Sequence, residues 1–412
     1  MISVVVLLIV FTLIAARRVG NVRLQIWQVM LLGALAVLVT GQISPEAAAR
    51  AINLDVMLFL FGMFVVGEAL EESGYLSHLS HRMFRKAGSS DSLVLIILFG
   101  MGAASAFLMN DTLAIIGTPV VLSLAGRNRI RPQVLLLALA FSVTIGSVMS
   151  PIGNPQNLLI AIGANVANPF VTFFRFLALP TLINLFLAYL MLRLFYGNHL
   201  RGRPVDSFPE PLRDPGLARL SRVSLILLVV LTAAKIASAM LDLQIDYRLT
   251  YIAIASAAPI MLLSPSRLRV VRNIDWHTLI FFASMFVLME SVWDSGFFQD
   301  LIGALNLDIT SVGMILIVSV LLSQLISNVP LVALYLPMLT ESGVSTRATM
   351  ALAAGSTIAG NLAILGAASN VIIIQNAEKR SGETVSFLEF VRIGIPLTAL
   401  NVLVYWLFLA VA

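Results

Sequence analysis

Four short polar clusters interrupt long apolar stretches of this chain: Asn110-Asp111-Thr112, Ser150 to Asn157 (SPIGNPQN), Ser327-Asn328, and Leu365 to Asn370 (LGAASN). Their residue types suit binding rather than bond making. Amides, hydroxyls and main-chain carbonyls can hold a polar solute, and no Lys or Arg lies in any of the four. The candidate solute contacts are Asn110, Thr112, Ser150, Asn154, Asn157, Ser327, Asn328, Asn361, Ser369 and Asn370. Asp111 is the one residue among them that can carry a proton. A carboxylate at membrane depth is costly and marks function by default; the plainer role would be to cap a helix through the amides of Leu113 or Ala114. Gly153 and Gly366 allow close backbone approach, and Pro155 removes a donor, so these three mark the breaks. Glu68 and Glu290 lie near helix ends, and the Lys235 stem can snorkel, so all three carry less weight.

Other chemistry is excluded more firmly. No nucleophile–base pair, Walker sequence, HExxH or GxSxG is present, so the chain is not expected to be an enzyme or to need a cofactor. It has no cysteine, which removes disulfides and thiolate sites, and its four histidines lack metal-ligand spacing. No nucleic-acid partner is implied by the net charge of +5, because the basic residues are scattered in short loops.

The elements that must position these clusters are membrane helices. Hydrophobic residues make up 59% of the 412 and charged residues 11%, too few to cover a soluble surface of this size. Ten segments approach the roughly 20 residues a spanning helix needs: 2–16, 26–42, 54–71, 133–167, 172–196, 221–241, 246–264, 276–293, 347–377 and 388–411. Two more, 93–125 and 310–340, are broken by MetAsnAspThr and SerAsnValPro. Segment 93–125 has Arg82, Arg85 and Lys86 before it and Arg127, Arg129 and Arg131 after it. Basic flanks on both sides place both ends in the cytoplasm, which predicts a re-entrant hairpin. Segment 310–340 has Asp294, Asp300, Asp308 and Glu341 around it, which predicts a hairpin entering from outside. Both termini then lie on the outer side of the inner membrane. Every Lys and Arg except Arg50, Arg175, Lys235, Arg248 and Arg347 falls on the cytoplasmic side.

The chain also repeats itself. Met63-Phe64-Val65 matches Met285-Phe286-Val287, Asn110 matches Asn328, Pro119 matches Pro337, Gly153 matches Gly366, and Asn157 matches Asn370. With hairpins of opposite orientation this is an inverted-topology repeat, a transporter signature. The first repeat is 1–196, with hairpin 93–125 and broken helix 133–167. Residues 197–220 form a polar cytoplasmic linker, and the second repeat is 221–412, with hairpin 310–340 and broken helix 347–377. Val329 stands opposite Asp111, so the halves differ at the one titratable position. The predicted fold is an all-α membrane protein of ten spans and two re-entrant hairpins.

The stretches AFLMNDTLAIIGTPVV (106–121), GSVMSPIGNPQNLLIA (146–161), SNVPLVALYLPML (327–339) and GNLAILGAASNVIII (360–374) resemble the ion transporter superfamily, and within it the arsenite permease and NhaD-type sodium–proton antiporter branch. The resemblance covers nearly the whole chain. It implies solute binding between the hairpin tips and the broken helices, and proton-coupled efflux of arsenite and antimonite by alternating access. Those hydroxides are largely uncharged at neutral pH, which suits a site of amides and hydroxyls; without cysteine the chain cannot hold arsenic through thiolates. The alternatives are a sodium–proton antiporter, or a sodium-coupled symporter of dicarboxylates or other anions, against which Asp111 stands. The sequence leaves room for a cytoplasmic ATPase partner and for a homodimer.

Overall fold

The computed structural model describes residues 2–411 except 17, 20–21, 24, 76–77, 80–83, 85–86, 198–211, 242–247, 298–299, 301–309 and 344. Most of the predicted linker, along with Arg85 and Asp308, therefore lies outside the described residues. Helices dominate the rest. The one strand pairing described is a two-residue ladder between Arg18–Val19 and Val22–Arg23.

The first half runs through α1 (Ile2–Ala16), α2 (Ile26–Val39), α3 (Pro45–Ala51), α4 (Leu54–Glu72), α5 (Ser90–Ser105), α6 (Asn110–Asn128), α7 (Pro132–Ser147), α8 (Pro155–Gly163) and α9 (Pro169–Tyr196). The second half has α10 (Pro215–Met240), α11 (Leu249–Leu263), α12 (Arg267–Asn273), α13 (Trp276–Trp293), α14 (Val312–Ile326), α15 (Asn328–Glu341), α16 (Thr346–Ile358), α17 (Ala368–Ser381) and α18 (Phe387–Trp406). Starts are set by local chemistry. Asn53, Ser89, Asn154, Asp214, Asp275, Ser345 and Ser386 each accept a first-turn amide, and Pro132, Pro155, Pro169 and Pro215 sit where no donor is missed.

Four of these helices are long and apolar enough to cross a membrane alone: 169–196, 215–239, 276–293 and 387–410. A fifth candidate is the α3–α4 pair, bent by 54°. The other predicted spans coincide with shorter apolar helices or with helices interrupted at the polar clusters. Helix α7 gives way to α8 after Ser147, and α16 to α17 after Ile358 through two 3₁₀ turns. Leu8, Leu54, Phe174, Leu194, Leu262 and Leu388 point outward, as expected where lipid rather than water is the solvent.

Two packing groups emerge. Helices α1, α2, α4, α10, α11 and α13 pack mainly on one another, whereas α5–α9 and α14–α18 form the other group. The second group is held by backbone proximity. A Cβ on Gly146 of α7 would overlap the main chain at Gly102 of α5, the small-residue contact typical of membrane helices. Just before that contact α5 carries a π-helical turn, Ile97–Met101. Its loosened carbonyls are met by the Ser142 hydroxyl, which donates to Ile97 O at 3.0 Å and Leu98 O at 3.2 Å. Helices α5 and α6 are separated at 106–109, and α14 and α15 only at Ser327, so each pair has a sharp tip.

Candidate solute site between the helix breaks

Both tips and both breaks meet around one cavity of about 290 Å³. The first tip is fixed by its main chain: Asn110 N donates to Gly153 O at 2.9 Å. The Asn110 side chain then accepts from Asp111 N at 3.0 Å. Helix α6 has no side-chain cap, so Asp111 is not used that way. Its residue lines the cavity beside Asn110.

The second tip is built differently. Ser327 has φ 72° and ψ 161°, a region that only glycine occupies without strain. This conformation turns the chain in one residue and brings Ser327, Asn328 and Val329 to the cavity wall. Asn328 Oδ1 is buried and has no hydrogen-bond partner among the described residues. Ser327→Gly should therefore stabilise the protein by about 1 kcal/mol, read as a rise in melting temperature, while Ser327→Val should lower it.

The first break is an amide-braced turn. Asn154 caps α8 by accepting from Asn157 N at 2.9 Å, and its Nδ2 donates to Ser147 Oγ at 2.9 Å. Asn157 Nδ2 donates to three carbonyls, Ser147, Val148 and Ser150, at 3.1, 3.2 and 3.0 Å. The Ser150 hydroxyl accepts from Ile152 N. Gly153 is required here, because a Cβ would lie 2.5 Å from Ser147 O. Pro155 and Gln156 line the cavity, whereas Ser150, Gly153, Asn154 and Asn157 sit behind it.

The second break follows the same plan with fewer bonds. Asn370 Nδ2 donates to Gly360 O at 2.6 Å, and Gln324 Nε2 to Ala359 O at 2.8 Å. Asn361 Nδ2 reaches Asn401 Oδ1 at 3.0 Å. The Ser369 hydroxyl and Asn370 Oδ1 are buried without partners among the described residues. Ala367, Ala368, Val371 and Ile372 face the cavity, and Asn361, Gly366, Ser369 and Asn370 lie behind it. Thr112 is also off the cavity wall, packed against Gly67 of α4.

Each half also braces the other. The Thr357 hydroxyl, from α16, lies 3.3 Å from Asn154 Nδ2 and Asn157 Oδ1 and 3.4 Å from Gln156 Nε2. Its counterpart Thr144 on α7 faces the opposite break, with its methyl 3.2 Å from where a Cβ on Gly360 would sit. The offset of 213 that pairs Gly153 with Gly366 and Asn157 with Asn370 places these two threonines at the same register, which was the signal available for them.

The opposite wall of the cavity comes from helix starts that sequence reasoning passed over: Gln25, Ile26 and Trp27 at α2, and Asp275, His277 and Thr278 at α13. Trp27 stacks on His277 with ring centroids 4.9 Å apart. Asp275 caps α13 through Thr278 N at 3.0 Å. Among the described residues the lining holds two carboxylates, one imidazole, several amides and hydroxyls, and no Lys or Arg. Among the described residues no cluster of His, Cys, Asp and Glu could hold a metal ion.

Residues 6–346 match the family described as citrate transporter, CitMHS. The chain belongs to the CitMHS family. It is a membrane protein and a secondary transporter of that family. The sequence resemblance had pointed to the same superfamily, and within it to the arsenite permease and NhaD-type sodium–proton antiporter branch. Among its relatives, an uncharacterized transporter of Mycobacterium tuberculosis, Rv2684, is 29% identical over 97% of this chain and 96% of its own. The silicon efflux transporter LSI3 of Oryza sativa is 27% identical over 89% of each. The fold is that of the YdaH transporter of Alcanivorax borkumensis, with TM-score 0.58, 16% identity, and coverage of 100% of this chain and 97% of that one. In this CitMHS chain the cavity lies between the two helical packing groups, with lining residues from both.

Proposed function

We propose that this chain exports small uncharged metalloid hydroxides, arsenite and antimonite foremost, across the inner membrane in exchange for protons. One observation carries the reading: among the described residues the cavity offers amides, hydroxyls, two carboxylates and one imidazole, and no Lys or Arg. A polyanion such as citrate would meet Asp111 and Asp275 there with no Lys or Arg among the described residues to balance its charge. A neutral hydroxide needs only donors and acceptors, and the amides and hydroxyls supply both. The silicon efflux relative fits the same chemistry, since dissolved silicon is also a small uncharged hydroxide.

The topology goes with the proposal. Helices α1, α2, α4, α7 with α8, α9, α10, α11, α13, α16 with α17, and α18 are the ten spans; α5–α6 and α14–α15 are the re-entrant hairpins of two inverted repeats. Both termini are then outside. Gln25 and Asp275 follow the basic residues Arg23 and Arg272, so this cavity opens toward the cytoplasm, and alternating access exposes the tips to the other side. Substrate bound at Asn110 and Asn328 and a proton on Asp111 take turns.

A second reading, sodium–proton antiport, has its own observation in the partnerless buried oxygens of Asn328, Ser369 and Asn370, which a small cation could engage. Everted membrane vesicles with an acid interior separate the readings. Arsenite and antimonite uptake should exceed that of a transporter-free control, with silicic acid following and citrate inert. Collapse of the gradient by sodium or citrate, with arsenite silent, would overturn the proposal.

A further inference from the structure

A second cavity, of about 450 Å³, lies far from the solute site where α7, α9 and α18 end together. Its polar side is built from Arg131, Arg392, Tyr196 and Glu389. Glu389 Oε1 takes Arg131 at 3.2 Å and also receives the Tyr196 hydroxyl. The Arg131 guanidinium in turn lies 5.6 Å from the Tyr196 ring centroid. These contacts fix Arg131 in place and use up the only carboxylate on the wall among the described residues. Arg392 stays in excess: it sits over the Phe195 ring at 5.4 Å, and no carboxylate lies within ion-pair distance of it among the described residues. Two helix starts face the same space. Arg131 precedes α7, and Ser386 caps the 20-residue α18. Their partial positive charge adds to that of the guanidinium groups. The excess is cationic, and paired guanidiniums match the oxygens of a phosphate.

The rim says which phosphate. Leu194, Phe387 and Leu388 are 73%, 53% and 77% exposed at this end of the helices, so apolar surface runs outward from the arginines. A free anion gains nothing from that surface, whereas acyl chains would cover it. We propose that this cavity binds the headgroup phosphate of an anionic phospholipid, with Arg392 and Arg131 on the phosphate and the exposed Leu194, Phe387 and Leu388 against the chains. The site is independent of which solute is carried.

The test uses the full-length protein purified in detergent and exposed to phosphatidylglycerol, phosphatidylcholine or inorganic phosphate, with bound lipid read by native mass spectrometry. Phosphatidylglycerol should be retained in preference to phosphatidylcholine, and inorganic phosphate should not displace it. Arg392→Gln, which leaves the Arg131–Glu389 pair intact, should weaken retention by about fivefold, the weight of one interfacial cation, and Arg392→Lys should restore part of it. A melting curve of lipid-free Arg392→Gln that matches the wild type separates lost binding from lost folding. Equal retention of both lipids, equal retention by Arg392→Gln, or displacement by inorganic phosphate would each overturn the assignment.

Discussion

Replacing Asp111 with asparagine is expected to cut flux driven by a pH gradient by about a hundredfold, the upper range of coupling between two sites. The protein should still fold. Helix α6 does not use the carboxylate as a cap, and the main-chain bond from Asn110 N to Gly153 O survives the change. The amide also keeps the size and the hydrogen-bonding capacity of the carboxyl group, so the melting temperature should stay within about 2 °C of wild type. What disappears is the proton site. Val329 occupies the matching position on the second tip and cannot titrate, so the pseudo-symmetric partner cannot substitute. Asp275 also lines the cavity, but its oxygens are engaged by Thr278, which keeps it at the start of α13. Downhill exchange of substrate across Asp111→Asn should persist, because Asn110, Gln156 and Asn328 remain on the wall. Reconstituted vesicles with an imposed gradient give the measurement. Uphill flux at the wild-type rate would reduce Asp111 to a bystander and move attention to Asp275 and His277.

The breaks were legible because their composition is unlike that of a packed helix. SPIGNPQN combines Gly, Pro and Asn, and LGAASN Gly, Ser and Asn, inside apolar stretches, and an unwound backbone there has to be covered by protein or by a wet cavity. The tips were legible for the same reason. The direction each amide faces was not legible. Asn110 and Asn157 look equivalent in sequence, yet one is on the cavity wall and the other is turned onto three carbonyls. Nor did Trp27 and Asp275 stand out, since an aromatic and a capping acid at helix starts are what any membrane helix shows at its interface. Their role follows from where α2 and α13 pack, which depends on contacts between distant segments. Thr357 was hidden by its setting, one of several hydroxyls in a largely apolar helix, although the repeat offset paired it with Thr144.

Asn157→Ala should therefore act on stability first, the reverse of what its place in a polar cluster suggested. Its Nδ2 closes the turn from α7 to α8 by holding the carbonyls of Ser147, Val148 and Ser150, and its Oδ1 lies 3.3 Å from the Thr357 hydroxyl of the other half. The residue is fully buried, so alanine would strand the Val148 carbonyl and leave those of Ser147 and Ser150 with only long main-chain bonds of 3.4 Å, from Ser150 N and Gly153 N. Each net bond is worth about 1 kcal/mol and each stranded group costs more, which puts the loss at roughly 3–5 kcal/mol. A fall in melting temperature of about 5 °C or more is expected for the purified protein. Asn110→Ala provides the contrast. Its amide makes one short-range bond to Asp111 N, and its main chain still docks on Gly153, so melting should barely move while substrate flux falls. If Asn157→Ala melts like the wild type but loses transport, the amide is a solute contact after all. The break must then be held by Asn154 and Gly153 alone.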